Sequence, residues 1–265
     1  MRAGLRVILT LSYRDLQLAL TSRVPFAFDV IGAFAALALY FYIGRFVRPD
    51  LEDGGLGFFA FAIAGIALLR LQAALVKATN ALEREQSAGT LEIVLLSPAR
   101  SAYIGIGSCL YELARGLAFA LLVMLASRFV FGAGLTLGPR AWAGIACGLA
   151  GAGAFFVAMN LLAMSVLLTV KQGAAFTGLL TVLTPVMCGV VYPTDVLPQP
   201  LEVIAHWVPL TRAVELVRHG VISAQFSAAS AAEMFAVLVP LLLGAAAVFS
   251  GCLRHAKRRG TLGSP

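Results

Sequence analysis

The sequence predicts an all-α, polytopic integral membrane protein, a single transmembrane domain of six helices over residues 1–265. Three observations lead there. Apolar residues form 60% of the chain and charged residues 12%, roughly half the charged share of a soluble domain, and mean hydropathy is +0.90. Charge-poor runs recur at the ~20-residue length that a bilayer core demands. Basic residues are divided unequally between alternate loops. No β-barrel alternation is present, so helices must satisfy the backbone inside lipid.

Residues 1–25 come first. Leu5, Ile8, Leu9, Leu16 and Leu20 alternate with Arg2, Arg6, Arg14, Asp15 and Arg23 in a rough helical rhythm. That is the pattern of a helix lying on a membrane surface; a plain positive flank that sets orientation fits nearly as well. A cleaved signal peptide is not expected, because no apolar stretch with a small-residue cleavage site follows the arginines.

Six spans are expected at about Phe26–Arg45, Leu56–Val76, Tyr103–Ser127, Trp142–Val170, Gly173–Val191 and Met234–Leu253. The fourth is long enough to tilt. Its Gly144, Gly148, Gly151, Ala152 and Gly153 include small-xxx-small spacing, which lets helices approach closely, by default within the chain. Pro185 should kink the fifth span. Between the fifth and sixth, residues 192–233 hold Pro193, Pro198, Pro209, Leu210, Thr211, Arg212 and Arg218 beside Leu201, Ile204, Val208, Val214, Val217 and Val221. This segment is too apolar for a floppy loop and too interrupted to cross twice, which suggests a lid or a re-entrant element.

Six spans put both termini on one side. That side holds twelve basic residues: Arg2, Arg6, Arg14, Arg23, Lys77, Arg84, Arg100, Lys171, Arg254, Lys257, Arg258 and Arg259. The other holds six: Arg45, Arg48, Arg128, Arg140, Arg212 and Arg218. By the positive-inside rule the termini and the 77–100 loop face the cytoplasm. The net charge of +7 then reflects topology and contact with anionic membrane lipids, not a nucleic-acid footprint.

Chemistry-bearing residues are sparse. Cys109, Cys147, Cys188 and Cys252 fall in separate spans, and His206, His219 and His255 are far apart, so no metal site is indicated. Lys77, Lys171 and Lys257 are the only lysines and none follows a phosphate-binding glycine loop. No nucleophile–base set emerges, so no catalytic residue and no cofactor of the chain's own are expected. Asp29, Arg70, Glu112 and Arg115 lie within spans, where an unpaired charge costs about 2.5–3.5 kcal/mol on insertion scales. Glu112 and Arg115, three residues apart, can neutralise each other. These four either line a pathway or serve structure.

The densest polar cluster is the island between the second and third spans. Ala78–Gln86 is rich in helix formers and contains Glu83, Arg84 and Glu85; Gly89 offers a break. Thr90 can cap a second short helix with Glu92 in its first turn, and Leu91 adds apolar contact area. Ser97 caps the next element with Pro98 at its first position. Two short helices at an angle would form a knob; an ordinary wet loop is the competing reading.

The order acid-Arg-acid, then Gly89-Thr90-Leu91-Glu92, an aliphatic run and Ser97-Pro98 resembles the first cytoplasmic loop of type 2 ABC exporter permeases. The Pro-rich stretch, Pro209-Leu210-Thr211 and the later Arg218 resemble the same family. The resemblance implies a membrane-spanning exporter subunit in the cell inner membrane, with residues 1–25 as an interface helix and 77–100 as a coupling loop seated on a separate ATPase. It implies two permease copies, as a homodimer or with a relative, and two ABC ATPase subunits that carry ATP and Mg. The implied cargo is amphipathic: a drug, lipid or lipid-linked glycan. An ion-coupled secondary transporter or channel using Asp29, Glu112 and Arg115 is the alternative, and an intramembrane lipid enzyme a third.

Overall fold

The computed structural model describes residues 23–47, 56–87, 102–132, 138–170, 173–190 and 194–259. Regular structure among them is entirely helical. The long helices α1 (Arg23–Val47), α2 (Leu56–Ser87), α3 (Ala102–Phe129) and α4 (Pro139–Val170) are followed by the short α5 (Gly173–Met187). After a 3-10 turn at Thr194–Val196 come α6 (Gln199–Trp207), α7 (Pro209–Ile222) and the long closing helix α8 (Ala228–Arg259).

Five of these helices, α1 to α4 and α8, are long and apolar enough to cross a membrane. The expected fifth span is shorter than the apolar window suggested. With 15 residues, α5 rises roughly 22 Å against a hydrocarbon core of about 30 Å. Pro185 removes a helical N–H near its end. The chain then turns at Cys188–Val190, where Gly189 takes a left-handed φ of 69°. The last helix exceeds its expected limits, starting at Ala228 and running to Arg259.

Helices α2 and α4 form the centre, with α3 along α2, and α7 and α8 along α4; α1 and α8 lie at the periphery with mostly exposed spans. In lipid, helices associate through close packing and not through burial from water, so small residues decide where they meet. At Gly148 an added Cβ would sit 2.6 Å from Val217 Cγ2 and 2.7 Å from the Ala213 carbonyl oxygen on α7. At Gly220 of α7 it would meet the Ala141 carbonyl oxygen at 2.8 Å. Gly151 receives the Met234 thioether of α8, and Gly153 receives Leu113 of α3. The glycines of α4 therefore serve packing within the chain.

At the end of the bundle away from the charged island, Phe41 of α1 stacks edge-on against Phe59 of α2 at 5.3 Å and meets Phe131, beyond α3, at 5.2 Å. The island end is held differently, by polar groups.

Candidate functional site

Helix α2 carries the site. It does not stop at Val76, the expected end of the second span, but continues as one helix to Ser87. Glu83 is partly buried and Arg84 exposed on this extension, and Glu85 lies on it too. Gly89, Thr90, Leu91, Glu92, Ser97 and Pro98 lie outside the described residues, as does the expected surface helix up to residue 22.

Just inside the extension, three helices meet through charges. Asp29 of α1 pairs with Lys77 of α2 at 2.9 Å and with Arg115 of α3. Arg115 also faces Glu112 at 3.6 Å, the i,i+3 neighbour anticipated from spacing. The Arg115 guanidinium reaches towards the Phe119 ring, 5.9 Å from its centroid. The structure thus brings together three of the four intramembrane charges and adds Lys77, which spacing alone marked only as a topology signal. Arg70 stands apart from this cluster, its guanidinium beside the backbone of Gly32.

A second polar node sits on the other side of α2. Thr79 Oγ1 donates to Asn160 Oδ1 of α4, and Asn160 Nδ2 donates to the Leu75 carbonyl oxygen at 2.8 Å. Both side chains are buried, so each partner spares the other an unsatisfied polar group in an apolar medium. Nearby, Gln72 Nε2 reaches the Leu180 carbonyl oxygen of α5 at 3.4 Å. A cavity of about 30 Å³ lies between α2, α4 and α5, lined by Gln72, Asn160, Thr177, Thr181 and Thr184 with Leu75, Val76, Phe156, Met159, Ala163 and Leu180. It has room for one or two waters and carries no charged group.

The far end holds the proline-rich segment. Pro193 lies outside the described residues; Pro198 precedes α6 and Pro209 opens α7, where a missing N–H is harmless. Thr211 Oγ1 donates to the Ala205 carbonyl oxygen at 2.6 Å, closing the corner at Val208. Leu210 is fully buried. Arg212 spans from Glu215 at 3.3 Å to Glu233 of α8 at 3.4 Å. Arg218 lays its guanidinium over the Phe61 ring of α2, 3.6 Å from the centroid, and donates from Nη2 to the Val190 carbonyl oxygen at 3.1 Å. That same oxygen would lie 2.4 Å from a Cβ on Gly65, so only glycine admits the turn after α5 against α2.

Sequence reasoning missed Gln72, Thr79 and Asn160. The available signal was an amide within an apolar window, which must find a partner inside lipid. No cluster of three or more metal-ligating side chains exists among the described residues.

Comparison with curated proteins finds no match. Compared with known families, the chain matches the ABC-2 type transporter over residues 6–222. That stretch takes in the charged island, the central helices and the proline corner through α7. The chain therefore belongs to the ABC-2 type transporter family and is a membrane transport subunit of an ABC transporter, not itself catalytic.

Proposed function

We propose that this chain forms the translocation pathway of an ATP-driven exporter and receives its driving force through the island at Glu83–Pro98. The observation that carries this reading is the unbroken run of α2 from the core into the island. A helix is a stiff rod, so a push at its end is delivered along it. The first fixed points on that path are Thr79 on Asn160 and Lys77 on Asp29, which tie α2 to α4 and α1. An ATPase subunit that closes on ATP would press on the island and tilt α2 against these neighbours, alternating access between the two membrane faces.

The pathway lies where a second copy meets this one. Exposed apolar side chains on α5, such as Leu179 and Val182, and on α1, such as Tyr42 and Phe46, supply a face for that copy. The hydroxyl-lined cavity lies directly behind α5. The short α5 and the turn after it make the fifth of six crossings and α8 the sixth, with α6 and α7 re-entering from the outer surface between them. Both termini and the island are cytoplasmic, in the cell inner membrane. ATP and Mg are held by two partner ATPases, and the cargo is an amphiphile such as a drug, lipid or lipid-linked glycan. Asp29, Glu112, Arg115 and Lys77 neutralise one another, which favours a structural role over ion coupling.

The test is ATP-dependent transport in vesicles containing the whole transporter, with Glu83→Ala and Leu91→Ala compared with wild type. Both variants should insert normally and lose ATP-coupled transport. Undiminished transport in both would refute the coupling assignment.

A further inference from the structure

One face of α2 is left open towards the island end. Arg70, Ala73, Lys77, Ala81 and Arg84 follow at intervals of three or four residues, so they share a stripe; Ala73, Lys77, Ala81 and Arg84 are exposed and Arg70 partly so. The stripe runs beside α1, where Asp29 meets Lys77 and where Gly32 faces the Arg70 guanidinium: a Cβ at Gly32 would stand 3.5 Å from Arg70 Nη2. Arg70 makes no ion pair or hydrogen bond among the described residues. Within the groove, the carboxylates Asp29 and Glu112 stand against three cations, Arg70, Lys77 and Arg115. Phe28 and Ile31 of α1 are exposed alongside.

We infer that this groove is a binding site for an anionic phospholipid of the leaflet nearer the island, with Arg70 as its phosphate ligand. The planar guanidinium offers the paired N–H donors that fit phosphate oxygens. The excess cation selects an anionic over a zwitterionic headgroup. The Arg70 backbone lies seven residues from Lys77, roughly 10 Å deeper along the helix, but its guanidinium reaches back to Gly32, three residues from Asp29, towards the headgroup level of that leaflet. Gly32, with no side chain, lets the Arg70 guanidinium lie against α1, the small exposed Ala73 leaves room for the headgroup, and Phe28 and Ile31 offer apolar surface to the acyl chains. The assignment concerns the membrane chain alone and holds whether or not an ATPase drives it.

The purified full chain in mild detergent would be titrated with phosphatidylglycerol or with phosphatidylcholine, and bound lipid counted by native mass spectrometry. Wild type should retain phosphatidylglycerol in preference to phosphatidylcholine. Arg70→Gln should weaken phosphatidylglycerol retention about fivefold, the effect of one basic residue at a lipid surface, and leave phosphatidylcholine unchanged. Arg70→Lys should recover part of the loss, and the unchanged phosphatidylcholine retention of Arg70→Gln separates a lost phosphate ligand from a lost fold. Arg254→Gln, which removes an exposed charge on α8 outside the groove, should weaken phosphatidylglycerol retention clearly less than Arg70→Gln does. Equal retention of the two lipids by wild type, undiminished retention by Arg70→Gln, or an equal loss in Arg254→Gln would each overturn the site.

Discussion

Arg218 joins three pieces of chain, and its removal is the most informative single perturbation. Arg218→Ala loses a charge-assisted hydrogen bond to Val190, worth about 1.5–3 kcal/mol, and a desolvated stack on Phe61, worth about 2 kcal/mol. Against this, its Nε is buried without a partner among the described residues, a cost of about 1–3 kcal/mol that the variant relieves. The net destabilisation is about 2 kcal/mol. For a chain of this size that corresponds to a fall of about 4–8 °C in apparent Tm, followed by thermal unfolding in detergent. The stack itself is isolated by a double-mutant cycle with Phe61→Leu, which keeps apolar bulk and removes the ring. The double variant should lose about 1–2 kcal/mol less than the sum of the singles. Additivity within about 0.5 kcal/mol would show that the ring and the guanidinium do not act together.

Gly148→Val forces a branched side chain into the α7 backbone and should cost at least about 1–3 kcal/mol, seen as poor yield or a lowered Tm. Gly178→Ala, where nothing lies within 4 Å, should be neutral or gain up to about 1 kcal/mol from helix propensity. A similar response in both variants would contradict the packing described. Asn160→Leu strands Thr79 in an apolar setting and should cost about 1–2 kcal/mol by unfolding. Asn160→Leu/Thr79→Val should recover part of that loss, and no recovery would argue against the pair.

The long spans were legible because hydropathy is local: a run of apolar residues reads as a run wherever it packs. The length of α5 was not. Its window continues apolar through Cys188 and Val190 although the helix stops at Met187, because that turn is pressed against Gly65 of α2 and is as dry as the helix. Spacing gave the Glu112–Arg115 pair correctly, three residues apart. It had no access to the partners of Asp29, which lie 48 and 86 residues away. Gly144 and Gly148 announced a close approach, and only the fold shows α7 as the helix that approaches. The charged island was the most conspicuous feature of the sequence, and its first half extends α2 as its helix formers suggested.

In the proposed mechanism a separate ATPase seated on the island drives this chain. The most direct measurement is purification of the tagged chain from its native membrane in gentle detergent, with partners identified and quantified by mass spectrometry. A near-stoichiometric subunit with a phosphate-binding glycine loop, released by Leu91→Ala, is the predicted result. An intact, transport-competent assembly with no ATPase in it would contradict the account.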